Sequence, residues 1–267
     1  MNFSKFSKIS LLVFTFASLS ASATKVEFTT SHGNFTVNLH DETTPITVNN
    51  FLKYINDDDY NNTVVHRVVP DFVMQAGGFE FTGNLPLTAI PTDSSITNEP
   101  VYSNVRGTIA MAKVGGNENS ATNQWFVNLS DNSGGGPQLD TANGGFTVFG
   151  EIIAGMENID AIALITTCDT TPDEQVSNFK NIPMPGYTAE QCSDSTFVPG
   201  TENFVTIETV TIIDNTVDTA SSLNSVKNTL LSTTTPVTPT PSSSGSGSIA
   251  WLGLFFTGLI ALRRRFS

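Results

Sequence analysis

Several residue types that build catalytic and metal sites are scarce in this sequence. The 267 residues include only three histidines and two cysteines, and only 14% of the chain is charged. These histidines and cysteines are too few and too scattered for a zinc site of recognised spacing, so we predict no metal. Because 39% of the residues are apolar, the chain is neither a coiled coil nor a highly charged disordered protein.

Basic charge is also scarce in the body of the chain. The formal net charge is −13, and five of the 12 bases lie near the ends, at Lys5, Lys8 and 263–265. Between the ends, seven bases face 25 acids, so the body carries −18. This surplus of acids argues against nucleic acid as a partner and against peripheral docking on an anionic membrane. Arg67 and Arg106 are the only arginines of the body.

Residues 1–23 have the pattern of a secretory signal peptide. Lys5 and Lys8 precede an apolar run over 9–19, and Ala-Ser-Ala ends the segment. A short apolar run followed by an A-x-A site is typical of signal-peptide cleavage, so we expect the mature chain to begin near Thr24. A buried N-terminal helix is the alternative.

The other end combines a low-complexity stretch with a short apolar one. Residues 215–248 are predicted to form a Ser/Thr/Pro-rich linker, because the composition beyond 232 cannot bury enough apolar surface to offset its ordering entropy. Residues 249–262 are mostly apolar and lead into three arginines. As a helix they would span ~21 Å, less than the ~30 Å of a bilayer core. Length alone allows a buried helix, but the flanking stalk and arginines favour a membrane stop.

This order of segments resembles the C-terminal sorting tails of bacterial exported proteins, especially the GlyGly-CTERM type that a rhomboid-like protease processes. The small residues here are Ser-Gly-Ser-Gly-Ser at 244–248, without the adjacent glycines of that pattern. We therefore expect an exported protein, in the periplasm or at the cell surface. Residues 249–267 would anchor it to the membrane at least transiently.

Residues 24–214 are predicted to form one β-rich domain. Alternating apolar residues indicate two strands between Lys25 and His40. Thr44 and Pro45 supply an N-cap and a proline at the first position of a helix. Six further strands are predicted at 64–69, 72–76, 107–112, 124–129, 146–153 and 204–213, with a second helix from Met156 to Leu164. Many short strands with two helices suggest a closed barrel or a sandwich with capping helices.

Three blocks of this domain stand out. Residues 65–79 read VHRVVPDFVMQAGGF, GTIAMA at 107–112 is followed by SATNQWFV at 120–127, and LD at 139–140 is followed by GFTVFGE at 145–151. In this order they closely resemble the signature segments of the cyclophilins, the cyclosporin-type peptidyl-prolyl isomerases. The resemblance implies a mainly β fold, an eight-stranded antiparallel closed barrel capped by two helices, with the site on an outer face.

The reaction of that family suits the residue types present. Rotation about an X–Pro bond crosses a barrier of about 18–20 kcal/mol because amide resonance must be lost. No covalent bond forms, so the reaction needs neither a nucleophile nor a metal, and we expect no cofactor. The enzyme must hold the proline ring and bind the twisted amide more tightly than the planar one.

The resemblance gives ten residues a role. The catalytic residues would be Arg67, Phe72, Gln75 and Phe126. The substrate-binding residues would be Val73, Ala112, Lys113, Gln124, Leu139 and Phe146. Arg67 would donate to the substrate carbonyl and towards the prolyl nitrogen, and Gln75 would orient it. Without the resemblance, the apolar members would be ordinary core residues, and Arg67 a plain surface cation.

Two further positions bear on the site. His66 is expected to be structural, because isomerisation needs no general base. Gln138 stands where the family often has tryptophan or another aromatic residue, a difference that argues against strong cyclosporin binding.

Residues 166–200 resemble an insertion between the second helix and the last strand, and they hold both cysteines. Export permits a disulfide, and Cys168 with Cys192 is the only possible intrachain pair, with two free buried thiols as the alternative. A loop of this length in a compact domain is usually functional or disordered.

We therefore expect a monomeric peptidyl-prolyl cis-trans isomerase that assists the folding of exported proteins and acts on proline-containing polypeptides. The alternative is a non-catalytic proline-peptide-binding or chaperone module displayed at the cell envelope. An adhesin-like β-domain would explain the stalk and the tail, but not the three motif blocks.

Overall fold

The computed structural model describes residues 23–168, 180–192, 198–215, 223 and 225–231. The predicted signal peptide apart from Ala23, and the predicted anchor at 249–267, lie outside these ranges. Within them, no helix has the length and apolar character needed to cross a membrane.

The described chain is mainly β, with few helices. The strands are β1 Lys25–Thr30, β2 Phe35–Leu39, β3 Thr63–Val64, β4 Arg67–Val69, β5 Val73–Ala76, β6 Phe79–Glu80, β7 Thr88–Ala89, β8 Thr108–Met111, β9 Trp125–Asn128, β10 Val148–Ala154 and β11 Thr206–Asp214. The helices are α1 Pro45–Asn56, α2 Met156–Ala163 and the short α3 Ala189–Cys192.

The strands form one antiparallel sheet that closes on itself. Its order is β4-β5-β9-β8-β10-β2-β1-β11-β3-β6-β7. Only Val65 and His66 separate β3 from β4, yet Val65 N donates to Val205 O before β11, and His66 N donates to Gln75 O of β5. The run from Thr63 to Val69 is therefore one strand that joins both ends of the ring. This confirms the predicted eight-stranded antiparallel barrel, to which β6 and β7 add a hairpin.

Alternation along the strands creates two apolar regions. Successive side chains of a strand point to opposite faces, so Trp125 and Val127 join the barrel core while Phe126 joins a cluster outside it. Helices α1 and α2 bury apolar residues, among them Phe51 and Ile159, in the same barrel core. The outer cluster thus lies on a sheet whose inner face is already filled.

Helix α1 begins as predicted at Pro45, but its N-terminus is satisfied differently. Thr44 stands at the N-cap position, and its hydroxyl donates to His40 O instead of accepting from the helix. The carboxylate of Glu99 accepts from Ile46 N at 3.3 Å and from Thr47 N at 2.9 Å. A distant acidic side chain therefore replaces the predicted local cap, at the positive end of the helix dipole.

The described part of the predicted insertion packs beside the barrel. The disulfide Cys168–Cys192 is present, as predicted. Both cysteines are buried in a second apolar cluster, in which Met184 and Phe204 are also buried. Asn181 O accepts from Val68 N at 2.6 Å. The insertion therefore contacts β4, the strand that begins with Arg67.

Residues 225–231, here called the C-terminal strap, lie against the domain. An antiparallel bridge pairs Lys227 with Tyr102, Ser103 N donates to Val226 O at 2.8 Å, and Asn228 N donates to Val101 O at 3.0 Å. Part of the range predicted as a linker therefore pairs with the chain between β7 and β8.

Candidate active site

The strand register brings three of the predicted catalytic residues into one row. Arg67 on β4 lies opposite Gln75 on β5, Gln75 lies opposite Phe126 on β9, and Phe126 lies opposite Ala110 on β8. Residues that face each other across antiparallel strands share a face of the sheet. The row therefore runs over the outside of the barrel, from a guanidinium to an apolar cluster.

Arg67 is held near the beginning of this row. Its Cζ lies 5.7 Å from the centre of the Phe72 ring, a cation–π distance. Gln75 Nε2 donates to Gln124 Oε1 at 2.9 Å. Arg67, Gln75 and Gln124 thus form a partly buried polar edge, with the ring of Phe72 beside it.

The outer cluster holds the predicted apolar residues. Its buried members are Val73, Tyr102, Ala110, Phe126, Leu139 and Val148, and Phe72, Val101, Ala112 and Phe146 pack against them partly exposed. The rings of Phe126 and Phe146 meet edge to face, with centroids 5.8 Å apart. An apolar surface bordered by partly exposed aromatic rings can hold a small apolar ring. The nearby guanidinium can donate to a carbonyl next to that ring.

Lys113 is placed differently from a side chain that lines an open groove. It is 4% exposed, and its Nζ donates to Asn143 O at 2.8 Å and to Gly145 O at 2.6 Å. Nζ also lies 4.7 Å from the Phe146 ring centroid. Burial lowers the pKa of Lys113 to about 8, against the opposing effect of Glu118. Its ammonium therefore holds the loop that leads to Phe146.

A buried polar network beside the outer cluster was not anticipated from the sequence. Asn132 Nδ2 donates to Phe72 O at 2.9 Å and to Asn128 Oδ1 at 2.7 Å. Asn104 Nδ2 donates to Phe146 O at 3.1 Å and to the Asp140 carboxylate, also at 3.1 Å. Buried polar groups are costly unless they are paired. The network joins the backbones of Phe72 and Phe146, two residues of the outer cluster that are far apart in sequence.

His66 and Trp125 lie beside the row without joining it. Burial, with a further contribution from Arg67, lowers the pKa of His66 to about 4, and its ring meets Phe79 edge to face. A neutral, packed imidazole agrees with the structural role expected for it. Trp125 is fully buried inside the barrel. Across the residues that the structure describes, no group of three His, Cys, Asp or Glu side chains could hold a metal.

Comparisons with known proteins point to one family. A family model described as "Cyclophilin type peptidyl-prolyl cis-trans isomerase/CLD" matches residues 25–182. The chain is 39% identical over 144 residues to a peptidyl-prolyl cis-trans isomerase of Acinetobacter baylyi, which covers 54% of this chain and 74% of the relative. It is 37% identical over 177 residues to peptidyl-prolyl cis-trans isomerase A of Dickeya dadantii, which covers 66% and 86%.

A solved structure is also similar. The crystal structure of a Cryptosporidium parvum cyclophilin type peptidyl-prolyl cis-trans isomerase, in the presence of the dipeptide Ala-Pro, aligns with a TM-score of 0.49 at 20% identity. The alignment covers 72% of this chain and 99% of that one.

Proposed function

This chain belongs to the cyclophilin-type peptidyl-prolyl cis-trans isomerases, and we propose that it turns X–Pro bonds on the outer face of its barrel with Arg67 as the principal catalytic group. The observation that carries this proposal is the row in which Arg67, Gln75 and Phe126 lie side by side. It sets one guanidinium beside an apolar cluster.

The proposed mechanism is non-covalent. The proline ring packs against Phe126 and Leu139, while Phe72 and Phe146 line the rim. As the amide twists, resonance is lost and the prolyl nitrogen becomes a hydrogen-bond acceptor. The Arg67 guanidinium donates to that nitrogen more strongly than to the planar amide, so it lowers the barrier. Gln75, bonded to Gln124, orients the substrate backbone beside Arg67.

We further propose that the clients are exported proteins in the periplasm or at the cell surface, with the chain tethered through residues 249–267. The pattern of residues 1–23 supports export. The Cys168–Cys192 disulfide supports it as well, because structural disulfides persist mainly in oxidising compartments.

The test is the rate of cis–trans exchange of a synthetic Ala-Ala-Pro-Phe peptide, followed by NMR with and without the full chain. Arg67→Ala removes a charge-assisted hydrogen bond worth about 1.5–3 kcal/mol, so we expect the rate enhancement to fall roughly 10- to 200-fold. The matched control is Arg106→Ala, because Arg106 is the body's other guanidinium and is occupied by Asp160 and Leu129 O. It should change the rate less than twofold.

Two results would contradict the assignment. Equal rates for the wild type and Arg67→Ala would remove Arg67 from the mechanism. Binding of the peptide without faster exchange would favour the non-catalytic proline-peptide-binding or chaperone module, for which the acidic body of the chain is the supporting observation.

A further inference from the structure

The C-terminal strap, residues 225–231, contacts the walls of the outer cluster. Its bridge partner Tyr102 is a buried member of that cluster, and Lys227 Nζ lies 4.3 Å from the centre of the Tyr102 ring. Ser103 Oγ donates to Lys227 O at 3.3 Å. One wall of the candidate pocket is therefore covered from behind by a segment that follows the last barrel strand.

The strap also reaches the loop that carries Leu139 and Phe146. Asn228 Nδ2 donates to Asp140 O at 2.8 Å. Leu231 Cδ1 lies so near Gly145 that a Cβ added to this glycine would come within 3.0 Å of it. These two contacts fall one residue after Leu139 and one residue before Phe146, at both ends of the loop.

The beginning of the strap is fixed on the neighbouring strand β10. Ser225 Oγ donates to Glu151 Oε1 and lies 3.5 Å from His40 Nε2. The His40 ring in turn packs against the Tyr102 ring at an angle of 39°, with centroids 4.4 Å apart. The strap is thus anchored at its start, at its bridge and at its end, so it can restrain the loop instead of merely touching it.

We propose that the C-terminal strap is a positioning element of the isomerase, and that Asn228 is the residue through which it holds the Leu139–Phe146 loop in a shape that accepts the proline ring. This inference rests on the proposed function of the outer cluster. Its contacts concern the walls of the pocket, whereas Arg67 and Gln75 lie on β4 and β5 at the other end of the row. Loss of the strap contacts should therefore weaken peptide binding more than it slows exchange of the bound peptide.

The experiment separates binding from exchange in the full chain. NMR line shapes of the Ala-Ala-Pro-Phe peptide, titrated with protein, yield both Kd and the exchange rate on the enzyme. Asn228→Ala removes one side-chain hydrogen bond to the loop, so Kd should rise roughly 2- to 10-fold. Asn228→Pro also removes the N–H that bonds Val101 O, and its Kd should rise further. In both variants the exchange rate of the bound peptide should change less than twofold.

Asn158→Ala is the matched control. Asn158 Nδ2 likewise donates to a backbone carbonyl, that of Asn34 at 2.7 Å, on a different part of the barrel. Its Kd should equal that of the wild type. If the two Asn228 variants bind the peptide as the wild type and Asn158→Ala do, the inference is wrong even though the wild type catalyses exchange. If the wild type does not accelerate exchange at all, the proposed function itself is wrong, and this result differs from an unchanged Kd in the Asn228 variants.

Discussion

Trp125 and Phe126 are neighbours in β9, and their side chains lie in two different regions of the molecule. Trp125 is fully buried among the aromatic rings of the barrel core, with the Phe28 ring centroid 5.0 Å away. Phe126 lies in the outer cluster, beside the partly exposed Phe146 and opposite Gln75 in the register. Interior packing stabilises the first region, whereas the second is held by loops that reach it from distant parts of the chain.

The difference shows how one sheet can serve both stability and function. Apolar residues of suitable volume are enough to stabilise the barrel core, because they pack closely against one another. Under the proposed function, the outer cluster must keep an apolar surface accessible to a ligand, so its walls cannot collapse inward. Lys113, the network of Asn104, Asn128, Asn132 and Asp140, and the C-terminal strap supply the polar contacts that hold these walls.

Truncation of each of the two neighbours, Trp125 and Phe126, should have the largest effects. Trp125→Ala leaves a large cavity in the core, so the free energy of unfolding should fall by about 3–5 kcal/mol, while the folded molecules keep their activity. Phe126→Ala should remove about 1.5–3 kcal/mol of proline-ring burial, lowering kcat/KM roughly 10- to 150-fold. Urea denaturation and peptide exchange measure the two effects. A large loss of activity for Trp125→Ala, measured under conditions in which the variant is fully folded, would show that the inner face takes part in catalysis.

Disruption of the buried asparagine network should have an intermediate effect on both stability and peptide binding. Asn132→Ala leaves Asn128 Oδ1 without its donor and removes one of the two donors of Phe72 O, which also accepts from Leu129 N. A buried unpaired group costs about 1–3 kcal/mol. We expect a loss of unfolding free energy of that size together with a raised Kd for the peptide. Asn49→Ala, at an exposed position of α1, is the control. Lower stability with an unchanged Kd would show that the network does not shape the pocket.

The smallest expected effect is a loss of stability at acidic pH, caused by His40 beside the outer cluster. Burial, with a smaller contribution from Lys227, lowers the pKa of His40 to about 4. An unfolded histidine binds its proton near pH 6.5, so between these values the unfolded state binds more protons and stability is lost as the pH falls. From pH 7 to 5.5 this group should remove about 1 kcal/mol of unfolding free energy.

The check is urea denaturation at a series of pH values for the wild type and His40→Asn. The variant should show a shallower decline, although not a flat one, because the pKa of His66 is also lowered to about 4. Parallel profiles for the two proteins would mean that His40 is not the group that titrates.

Much of the barrel could be predicted because alternation and helix spacing are local signals. The strand predicted at 124–129 is observed as Trp125–Asn128, and the second helix, predicted from Met156 to Leu164, is observed as Met156–Ala163. The resemblance then singled out Phe126 over Trp125, which periodicity alone does not do. The structure places these two residues on opposite faces.

The supports of the outer region left no such signal. The hydrogen bond from Asn132 to Phe72 O spans 60 residues, and that from Asn228 to Asp140 O spans 88. A polar side chain that bonds a distant backbone carbonyl has no sequence period. For the same reason, the sequence does not predict that Glu99 replaces the side chain of Thr44 at the start of α1. Nor does it separate the strap from the rest of the predicted linker.

In the proposed function, the outer face of the barrel, and not its interior, receives the proline ring beside Arg67. Intermolecular NOEs between the proline-ring protons of the bound Ala-Ala-Pro-Phe peptide and the protein locate the ring. We expect NOEs to the side chains of Phe126 and Leu139, and none to Trp125. NOEs to residues outside the outer cluster, with none to Phe126, would show that the ring binds elsewhere.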